Sequence, residues 1–284
     1  MKNIKVWKID ITSPMGALES VELPKSIKTL NEASSYLPGG AYTTFRTYNG
    51  RKVIRLAEQI QRLEESCRTV NQPILIDEKS FREVLRETVD LYPARGELRF
   101  RISVDLEHEP GFLFIVLELL QVPSKEEYIN GVRVVTCDLQ RFEPKAKLTN
   151  FISKANRIRE QLPDSVHEAL MVNTRGFILE GLSSNFFGIL NGELWTEEEV
   201  VLSGITRGLV IEEALKAGII VNSIPILISD IPALEGAFIT SASRGILPIC
   251  CIDDIVIVNS AQGDLINKLI KLYNDRIFLE VKPI

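Results

Sequence analysis

Two apolar runs flank a short turn-forming segment in the first half of the chain. They are GELRFRISVDL at 96–106 and GFLFIVLELL at 111–120, and the connecting residues EHEPG include a proline and a glycine. Apolar runs that are rich in β-branched and aromatic residues and joined by such a turn are typical of a β-hairpin. We therefore predict a hairpin here, and the similar runs VWKIDI (6–11) and AYTTFRTY (41–48) predict further strands.

The first half also contains two segments whose apolar residues recur at helical spacing, so that they share one face. These residues are Leu56, Ile60, Leu63 and Cys67 in segment 56–70, and Phe81, Val84, Leu85 and Val89 in segment 78–92. Together with the strands, the two helices predict an N-terminal α/β domain over 1–120. The following residues, QVPSKEEYIN at 121–130, are polar and contain a proline, which favours an interdomain linker.

Strand-like runs dominate the rest of the chain. They are GVRVVTCDL at 131–139, ALMVN at 169–173, FILE at 177–180, NFFGIL at 185–190 and GAFITSA at 236–242. Helices are predicted from Thr206 to Gly218 and over 264–277. We interpret 131–284 as a second, larger domain, so that the chain is expected to be an α+β protein of two domains.

The composition excludes several classes of protein. The 284 residues carry a net charge of -5 and the pI is about 5.4, whereas a nucleic-acid-binding protein needs a concentrated basic face. The four cysteines form no CxxC pair and there are two histidines, so neither a metal site nor a disulfide framework is expected. No apolar run approaches the roughly 20 residues of a membrane span. We expect a cytoplasmic protein with reduced thiols and with no nucleic-acid or membrane partner.

Two segments carry residues whose chemistry suits a bound cofactor. RFEPKAKLTNF at 141–151 has two lysines after a proline, and a lysine partly withdrawn from water can attach a carbonyl cofactor. The alternative is a solvated loop lysine. In GFILEGLSSNFFGI at 176–189, Glu180 ends an apolar strand, and a buried carboxylate needs a cationic partner such as a protonated pyridine. The alternative is a carboxylate that faces water, followed by serines that form a turn.

Two further segments are suited to bind an anion. LSGITRGLV at 202–210 begins a helix, and the backbone N–H groups and dipole at a helix start favour phosphate. The alternative is an N-cap threonine without a ligand. In FITSASRGILPI at 238–249, small hydroxyl residues follow an apolar strand and would let an anion approach the backbone closely. The alternative is a serine-rich turn.

Taken in order, these segments resemble the class IV (fold type IV) pyridoxal-phosphate (PLP) enzymes, a group of branched-chain aminotransferases, D-amino-acid aminotransferases and aminodeoxychorismate lyases. The resemblance covers roughly 39–253. It rests on GAYTTFRTYNG, LAEQIQRLEES, KLTN, ILEGLSSNFF, LSGITR and FITSASRGILPICCID. It implies a PLP-dependent aminotransferase with a smaller N-terminal α/β domain and a larger β-barrel-like C-terminal domain with helices. It also implies a homodimer.

The resemblance assigns roles to individual residues. Lys147 rather than Lys145 becomes the catalytic, PLP-attaching lysine, because it lies three positions before Asn150. Glu180 becomes the partner of the pyridine nitrogen, which it keeps protonated. The other implied cofactor-binding residues are Arg62, Ser184, Asn185, Ile205, Thr206, Ser241 and Ala242. The implied substrate-binding residues are Tyr42, Arg99, Phe151, Ala242 and Ser243.

The chain also departs from the family pattern. Thr43 replaces the glutamate of the first motif, Gln59 replaces the histidine of the second, and Ala242 stands where a hydroxyl residue is common. Arg244 is an unusual charge in the second anion-binding loop, and it is expected either to bind a carboxylate or to form a surface ion pair. Glu97 replaces a tyrosine expected of branched-chain enzymes.

The substrate expectation follows from the same comparison with the family. Arg99 matches the branched-chain pattern, and Val104 stands where a D-specific enzyme would carry an arginine. We therefore expect transfer from an L-branched-chain or related aliphatic amino acid to 2-oxoglutarate. The alternatives are a D-amino-acid aminotransferase, an aminodeoxychorismate lyase and a non-catalytic binding protein on a degenerate fold.

Overall fold

The computed structural model describes residues 4–11, 16–257 and 263–284. The chain forms two compact units, of which the first contains Met1–Gln121, Ala146–Asn156 and Glu280–Ile284, and the second contains Val122–Lys145 and Arg157–Leu279. Helices and sheets occur in both, which confirms the predicted α+β class. The predicted division placed all of 131–284 in the second domain. In the structure, segments 146–156 and 280–284 belong to the first unit, and the predicted catalytic lysine lies in one of them.

The sheet of the first unit is antiparallel, with strand order β2-β1-β6-β5-β3. Its strands are β1 (Ile4–Asp10), β2 (Glu19–Ser20), β3 (Tyr42–Arg46), β5 (Leu98–Val104) and β6 (Phe112–Leu119). The β5–β6 pair, in which Ile102 lies opposite Ile115, confirms the predicted hairpin. A separate pair joins β4 (Lys52–Val53) to β16 (Lys282–Pro283).

Side chains of this sheet alternate between two apolar cores, because successive residues of a strand point to opposite faces. One face packs on α2 (Leu56–Thr69) and α3 (Glu78–Leu91), whose apolar residues are buried or partly buried as their spacing predicted. The rings of Phe45 and Phe100 stack in this core with centroids 4.9 Å apart. The opposite face packs on α1 (Leu30–Tyr36) in a smaller core.

The second unit is built on a mixed sheet that closes on itself. Strands β10, β13, β14, β7, β8 and β9 follow one another, and β9 returns to β10 through the pairing of Glu180 with Asn185. The β14–β7 and β7–β8 pairs are parallel. The strands are β7 (Val132–Asp138), β8 (Glu168–Val172), β9 (Ile178–Gly181), β10 (Asn185–Leu190), β11 (Glu193–Trp195), β12 (Val221–Asn222), β13 (Gly236–Ser241), β14 (Gly245–Ile252) and β15 (Ile255–Val256). The closed ring confirms the expected barrel-like architecture.

The remaining helices are α4 (Lys125–Asn130), α5 (Asn150–Arg159), α6 (Ile205–Lys216) and α7 (Asp264–Glu280), with a 3-10 helix at Ile228–Ala233. Helix α4 lies inside the predicted linker 121–130, where Ser124 and Glu127 form a capping box. The polar composition of that segment therefore reflects a short capped helix. No helix in the described part of the chain is long and apolar enough to cross a bilayer.

Candidate active site

The residues predicted to bind cofactor or substrate occur in both units, and each group is described by itself. The first unit holds Lys147, Arg62, Tyr42, Arg99 and Phe151. The second unit holds Glu180, Ser184, Asn185, Ile205, Thr206, Ser241, Ala242 and Ser243. In the first unit the structure brings Lys147 and Tyr42 together, and in the second it brings Glu180 and Asn185 together.

Lys147 is half-buried, and its backbone is bonded to two neighbouring elements. Its carbonyl accepts from the Tyr42 N–H at 2.8 Å, and its own N–H donates to Ser66 Oγ at 3.0 Å. Its Nζ lies 5.0 Å from the centroid of the Tyr42 ring. Lys145, in contrast, is exposed and its Nζ donates to the Glu198 carbonyl. Of the two lysines, Lys147 has the partly desolvated setting that a covalent attachment needs.

The extended segment after Lys147 explains how the lysine is placed. Thr149 donates its backbone N–H to the Gly40 carbonyl at 2.8 Å, and Thr149 Oγ1 accepts from the Gly40 N–H at 2.7 Å. Gly40 is required there because a Cβ would collide with the Val104 carbonyl. The segment is therefore fixed against the start of β3, and Phe151, which follows it, is buried.

Arg62 lies on the same face of α2 as two other buried polar residues, Gln59 and Ser66. Its Nη2 donates to Thr43 Oγ1 at 2.8 Å and to Gln59 Oε1 at 2.9 Å, and Thr43 Oγ1 donates to Gln59 Oε1 at 2.6 Å. The two departures from the family pattern, Thr43 and Gln59, are therefore the groups that orient Arg62. Both are neutral, so these contacts orient the guanidinium without cancelling its charge, which suits a phosphate ligand.

The two arginines of β5, Arg99 and Arg101, have different partners. Arg99 forms an ion pair with Glu118 on the neighbouring strand. Arg101, two residues further along and on the same face, has its guanidinium 4.9 Å from the centroid of the Tyr42 ring. It also donates to Ser34 Oγ at 2.8 Å. Arg101 is therefore the arginine of this strand that lies beside the Tyr42 ring, and the sequence motifs did not indicate it.

Glu180 is buried near the end of β9, and its carboxylate accepts hydrogen bonds from several donors. Arg141 Nε donates to Oε1 at 2.7 Å, while Asn185 Nδ2 donates to Oε2 at 3.1 Å and the Leu202 N–H at 3.3 Å. The side chains of Glu180 and Arg141 are only 3% and 6% exposed, so this is a buried ion pair. The alternative of a strand-end glutamate facing water is wrong.

Glu180, Asn185 and Thr240 are neighbours in one row across β9, β10 and β13. The Asn185 amide also donates to the Leu202 carbonyl at 2.8 Å, and a Cβ at Gly204 would collide with Asn185 Oδ1. Thr240 Oγ1 is buried and has no hydrogen-bond partner among the residues that the structure describes. Because buried hydroxyls are normally satisfied, the Thr240 hydroxyl has capacity for a further hydrogen bond, at the opposite end of the row from Glu180.

Helix α6 begins at Ile205, one residue before the predicted start. The alternative of an N-cap threonine is wrong, because the N-cap is Gly204, which supplies no side-chain cap. Ile205 and Thr206 therefore occupy the first turn, where backbone N–H groups and the helix dipole favour an anion. Arg207 donates to the Glu197 carbonyl at 2.9 Å, and burial lowers the pKa of this guanidinium from its usual value.

Arg244 forms an ion pair with the buried Glu168 in the second unit, their side chains being 14% and 2% exposed. Glu168 also accepts from Ser183 Oγ and Ser184 Oγ, each at 2.6 Å. Burial opposes its ionisation, but Arg244 and the two serines outweigh burial and lower the pKa of Glu168 to about 2. Of the two expectations for Arg244, the ion pair is present, but its carboxylate partner is buried and does not lie on the surface.

The family model "Amino-transferase class IV" matches residues 40–252, about three quarters of the chain. The chain belongs to the class IV aminotransferases. It is therefore an enzyme, a PLP-dependent aminotransferase. The match includes every site residue named above.

Individual relatives carry two different substrate names. A protein of Methanocaldococcus jannaschii, provisionally named a branched-chain-amino-acid aminotransferase, is 26% identical over 253 residues, which cover 83% of this chain and 86% of that protein. A D-alanine aminotransferase of Listeria monocytogenes is 27% identical over 259 residues, which cover 84% of this chain and 86% of the relative. At these identities the relatives agree on a class IV aminotransferase and differ on the substrate.

Solved structures of the class IV aminotransferases share the fold. A protein of Thermotoga maritima, provisionally named a branched-chain amino acid aminotransferase, has a TM-score of 0.78 at 22% identity, with 97% of this chain and 96% of that chain covered. The branched-chain aminotransferase of Thermoproteus uzoniensis, determined with norvaline, has a TM-score of 0.74 at 24% identity, with 98% of each chain covered. At such identities the likeness concerns the fold alone.

Sequence reasoning missed Ser66, Arg101, Arg141, Glu168 and Thr240. A signal for Ser66 was present, because Gln59, Arg62 and Ser66 recur at helical spacing on α2 as a polar stripe beside the apolar one. Arg101 could have been found from the period of two that it shares with Arg99. The pairing of Glu168 with Arg244 had no local signal, since it depends on contacts between distant strands.

Proposed function

We propose that this class IV aminotransferase attaches PLP to Lys147 and transfers the amino group of an L-branched-chain or related aliphatic amino acid to 2-oxoglutarate. The observation that carries the attachment is the setting of Lys147. Its backbone is hydrogen-bonded on both sides, its side chain is half-buried and its Nζ lies near the Tyr42 ring. A lysine held in this way is preorganised to react with a carbonyl group.

The chain's residues fit PLP by the chemistry of their donors and acceptors. Phosphate suits the buried guanidinium of Arg62, which neutral side chains orient. It also suits the uncapped first turn of α6, at Ile205 and Thr206, and the small-residue turn at Ser241 and Ala242. The buried carboxylate of Glu180 suits a protonated pyridine nitrogen, and the unsatisfied hydroxyl of Thr240 in the same row favours a further polar group there.

When bound, PLP would supply an electron sink for the electron pair left by the bond that breaks at the substrate Cα. The amine of Lys147 would move the proton between the substrate Cα and the cofactor, and would return it in the second half-reaction. Glu180 would keep the pyridine nitrogen protonated, and Arg141 and Asn185 hold its carboxylate in one orientation. The hydroxyl hydrogen of Ser184 is donated to Glu168, so any contact of this residue with the cofactor uses its backbone or its lone pairs.

The preference for an L-aliphatic substrate rests on fewer observations. Tyr42 and Phe151 are buried and would offer an apolar surface, and Val104 leaves β5 without the arginine of a D-specific enzyme. Backbone donors at Ala242 and Ser243 suit the α-carboxylate. The branched-chain name of the Methanocaldococcus jannaschii relative supports the same substrate. The pairing of Arg99 with Glu118 does not add to this support.

A second candidate is transamination of D-amino acids. It is favoured by the similarity to the D-alanine aminotransferase of Listeria monocytogenes, which is 27% identical against 26% for the branched-chain relative and covers 84% of this chain against 83%. The two candidates share Lys147 and PLP and differ only in the handedness of the substrate.

Initial rates decide between the candidates. Purified enzyme with PLP is assayed for glutamate formation from 2-oxoglutarate with L-leucine, L-isoleucine, L-valine and D-alanine, and for alanine formation from pyruvate with D-glutamate. We expect the three L-substrates to be faster. A D-substrate that exceeds all three would reverse the assignment, and release of pyruvate from aminodeoxychorismate without an acceptor would make the protein a lyase. The Lys147→Ala variant provides the background rate.

We also propose that the enzyme is a cytoplasmic homodimer. The dimer is supported by the family resemblance, and the location is supported by the cysteines, all four of which are free thiols. Light scattering of the purified protein should give about twice the mass of one chain, and a monomer at micromolar concentration would contradict the proposal.

A further inference from the structure

Arg244 connects three separate chain segments of the second unit. Its Nε donates to Ser241 Oγ at 2.9 Å, its Nη1 lies 3.1 Å from His167 Nε2, and its Nη2 donates to Ser183 Oγ at 3.1 Å. The same Nη2 lies 3.1 Å from Glu168 Oε2. We call Arg244 and these four residues, together with Ser184, the Arg244 cluster.

The hydroxyl groups of the cluster differ in where their hydrogens go. Ser183 Oγ and Ser184 Oγ both donate to Glu168 at 2.6 Å, so neither hydrogen remains for a ligand. Ser241 Oγ instead accepts twice from Arg244, from Nε at 2.9 Å and from the backbone N–H at 3.4 Å. A hydroxyl has two lone pairs and one hydrogen.

The hydrogen of Ser241 is consequently left for an acceptor outside the chain. With both lone pairs engaged by Arg244, and with no acceptor for this hydrogen among the residues that the structure describes, Ser241 can act only as a donor. A hydroxyl that is already oriented as a donor suits an anionic oxygen, because its hydrogen does not have to reorient when the anion binds. Ser183 and Ser184 cannot play this part.

Glu168 and Tyr128 hold Arg244 in the position from which it donates to Ser241 Oγ. Glu168 is buried and ionised, and it neutralises the guanidinium, so that Arg244 does not itself attract the anion. Tyr128, on α4, donates its hydroxyl to the Arg244 carbonyl at 2.6 Å. Arg244 is therefore fixed through both its side chain and its backbone.

We propose that Arg244 is a positioning residue, which acts through Ser241 by fixing that hydroxyl as a hydrogen-bond donor to an anionic oxygen of the bound reactants. The anionic oxygen belongs either to the phosphate of PLP or to the carboxylate of the substrate. The inference rests on the proposed function, in which the turn at Ser241 binds one of these groups. The sequence left two interpretations of Arg244, namely that it binds a carboxylate or forms a surface ion pair. In this proposal Arg244 acts on the anion indirectly, because Ser241 makes the contact.

A double-mutant cycle tests the coupling between the two residues. The variants are Arg244→Met, Ser241→Ala and the double variant, with Arg175→Met as a matched control because Arg175 is exposed on the turn between β8 and β9. Affinities for PLP and for pyridoxal, which lacks the phosphate, are measured from the cofactor absorbance, and KM for the amino acid is measured separately. Thermal melts identify variants that do not fold, for which Arg244→Lys, which retains a donor, replaces Arg244→Met.

If the anion is phosphate, each single variant weakens PLP binding about tenfold and leaves pyridoxal binding unchanged. The double variant then binds PLP no more weakly than either single variant. If the anion is the substrate carboxylate, the same non-additive pattern appears in KM, with PLP affinity unchanged. Losses that multiply in the double variant, or equal losses for PLP and pyridoxal, would overturn the inference while leaving the proposed function intact. If the wild-type protein forms no borohydride-reducible adduct at Lys147, the proposed function fails as well.

Discussion

The two groups of site residues hold most of their charges in different ways. In the first unit, Arg62 and Arg101 donate to hydroxyls and amide oxygens and Lys147 lies near the Tyr42 ring, while Arg99 is ion-paired with Glu118. In the second unit, Glu180 is ion-paired with Arg141 and Glu168 with Arg244, and the two arginine side chains are 6% and 14% exposed. A neutral contact orients a cation without cancelling its charge, whereas removing one partner of a buried ion pair leaves the other charge uncompensated.

The difference has consequences for stability. Losing a neutral hydrogen bond costs about 1 kcal/mol, whereas removing one partner of a buried ion pair costs about 3–5 kcal/mol because the other charge is left unpaired. We therefore expect substitutions in the first group to act mainly on ligand binding and reaction. Substitutions of the carboxylates in the second group should act on stability as well.

The largest effect is expected for Lys147→Ala, which should abolish covalent attachment of PLP and transamination. The fold should be unaffected, because the hydrogen bonds of this residue with Tyr42 and Ser66 are made by its backbone and survive the truncation. Borohydride reduction followed by peptide mapping reads the attachment site, with Lys145→Ala as the control. An adduct on Lys145 or Lys154 in the variant would contradict the assignment.

Glu168→Gln should cause the largest loss of stability, about 3 kcal/mol in the free energy of unfolding, because Arg244, whose side chain is only 14% exposed, loses its counter-ion. Denaturant unfolding of the apoprotein measures it. Because the folded-state pKa of Glu168 is lowered from 4.5 to about 2, its contribution is present above pH 4.5 and is lost as the pH falls towards 2. The free energy of unfolding of the variant should therefore lack the part of its pH dependence that comes from Glu168. A loss below about 1 kcal/mol would mean that the pair is not a support.

Glu180→Gln sharpens the comparison, because the same substitution is made in the other ion pair. We expect PLP to remain bound and transamination to slow by about two orders of magnitude, since the pyridinium loses its ionic partner. Single-turnover rates with the amino donor, measured at saturating PLP, separate this effect from weaker cofactor binding. Turnover close to wild type would exclude the role of Glu180.

The same contrast explains what could be predicted from the sequence. Helices α2 and α3 and the β5–β6 hairpin were predicted because apolar periodicity and turn residues are local signals. Lys147 and Glu180 were identified through short motifs that surround them.

The ion-pair partners were not predicted, because they depend on which strands become neighbours. Arg141 reaches Glu180 across 39 positions, and Arg244 reaches Glu168 across 76. Nothing in either local segment indicates such a partner. The helix in the predicted linker was missed for a different reason, since a short capped helix has the polar composition of a loop.

Arg62→Ala should weaken PLP binding by about 1.5–3 kcal/mol, the range for a hydrogen bond to a charged group. The loss of stability in the apoprotein should be smaller, because Thr43 still donates to Gln59 Oε1 after Arg62 is removed. PLP titration of the apoprotein, compared with pyridoxal titration, measures the part that depends on phosphate. An unchanged PLP affinity would make Arg62 a structural residue and would break the contrast between the two groups.

The smallest effect concerns His167, the histidine of the Arg244 cluster. An arginine can only donate, so Arg244 Nη1 requires the neutral ring with its hydrogen on Nδ1, which then donates to Glu127 Oε1 at 3.2 Å. Burial, and then the charge of Arg244, lower the pKa of His167 below its usual 6.5. Just below pH 6.5 the unfolded chain therefore binds more protons than the folded one, and stability should fall as the pH drops below 6.5.

Melting temperatures of three proteins measure this dependence. The values at about pH 7.5 and about pH 5.5, on either side of the histidine pKa, should differ less in His167→Gln than in the wild type. His108→Gln, at the exposed histidine of the β5–β6 turn, is the control for replacing a histidine and should keep the wild-type difference. Equal pH dependence in all three proteins would show that protonation of His167 is not coupled to the Arg244 cluster.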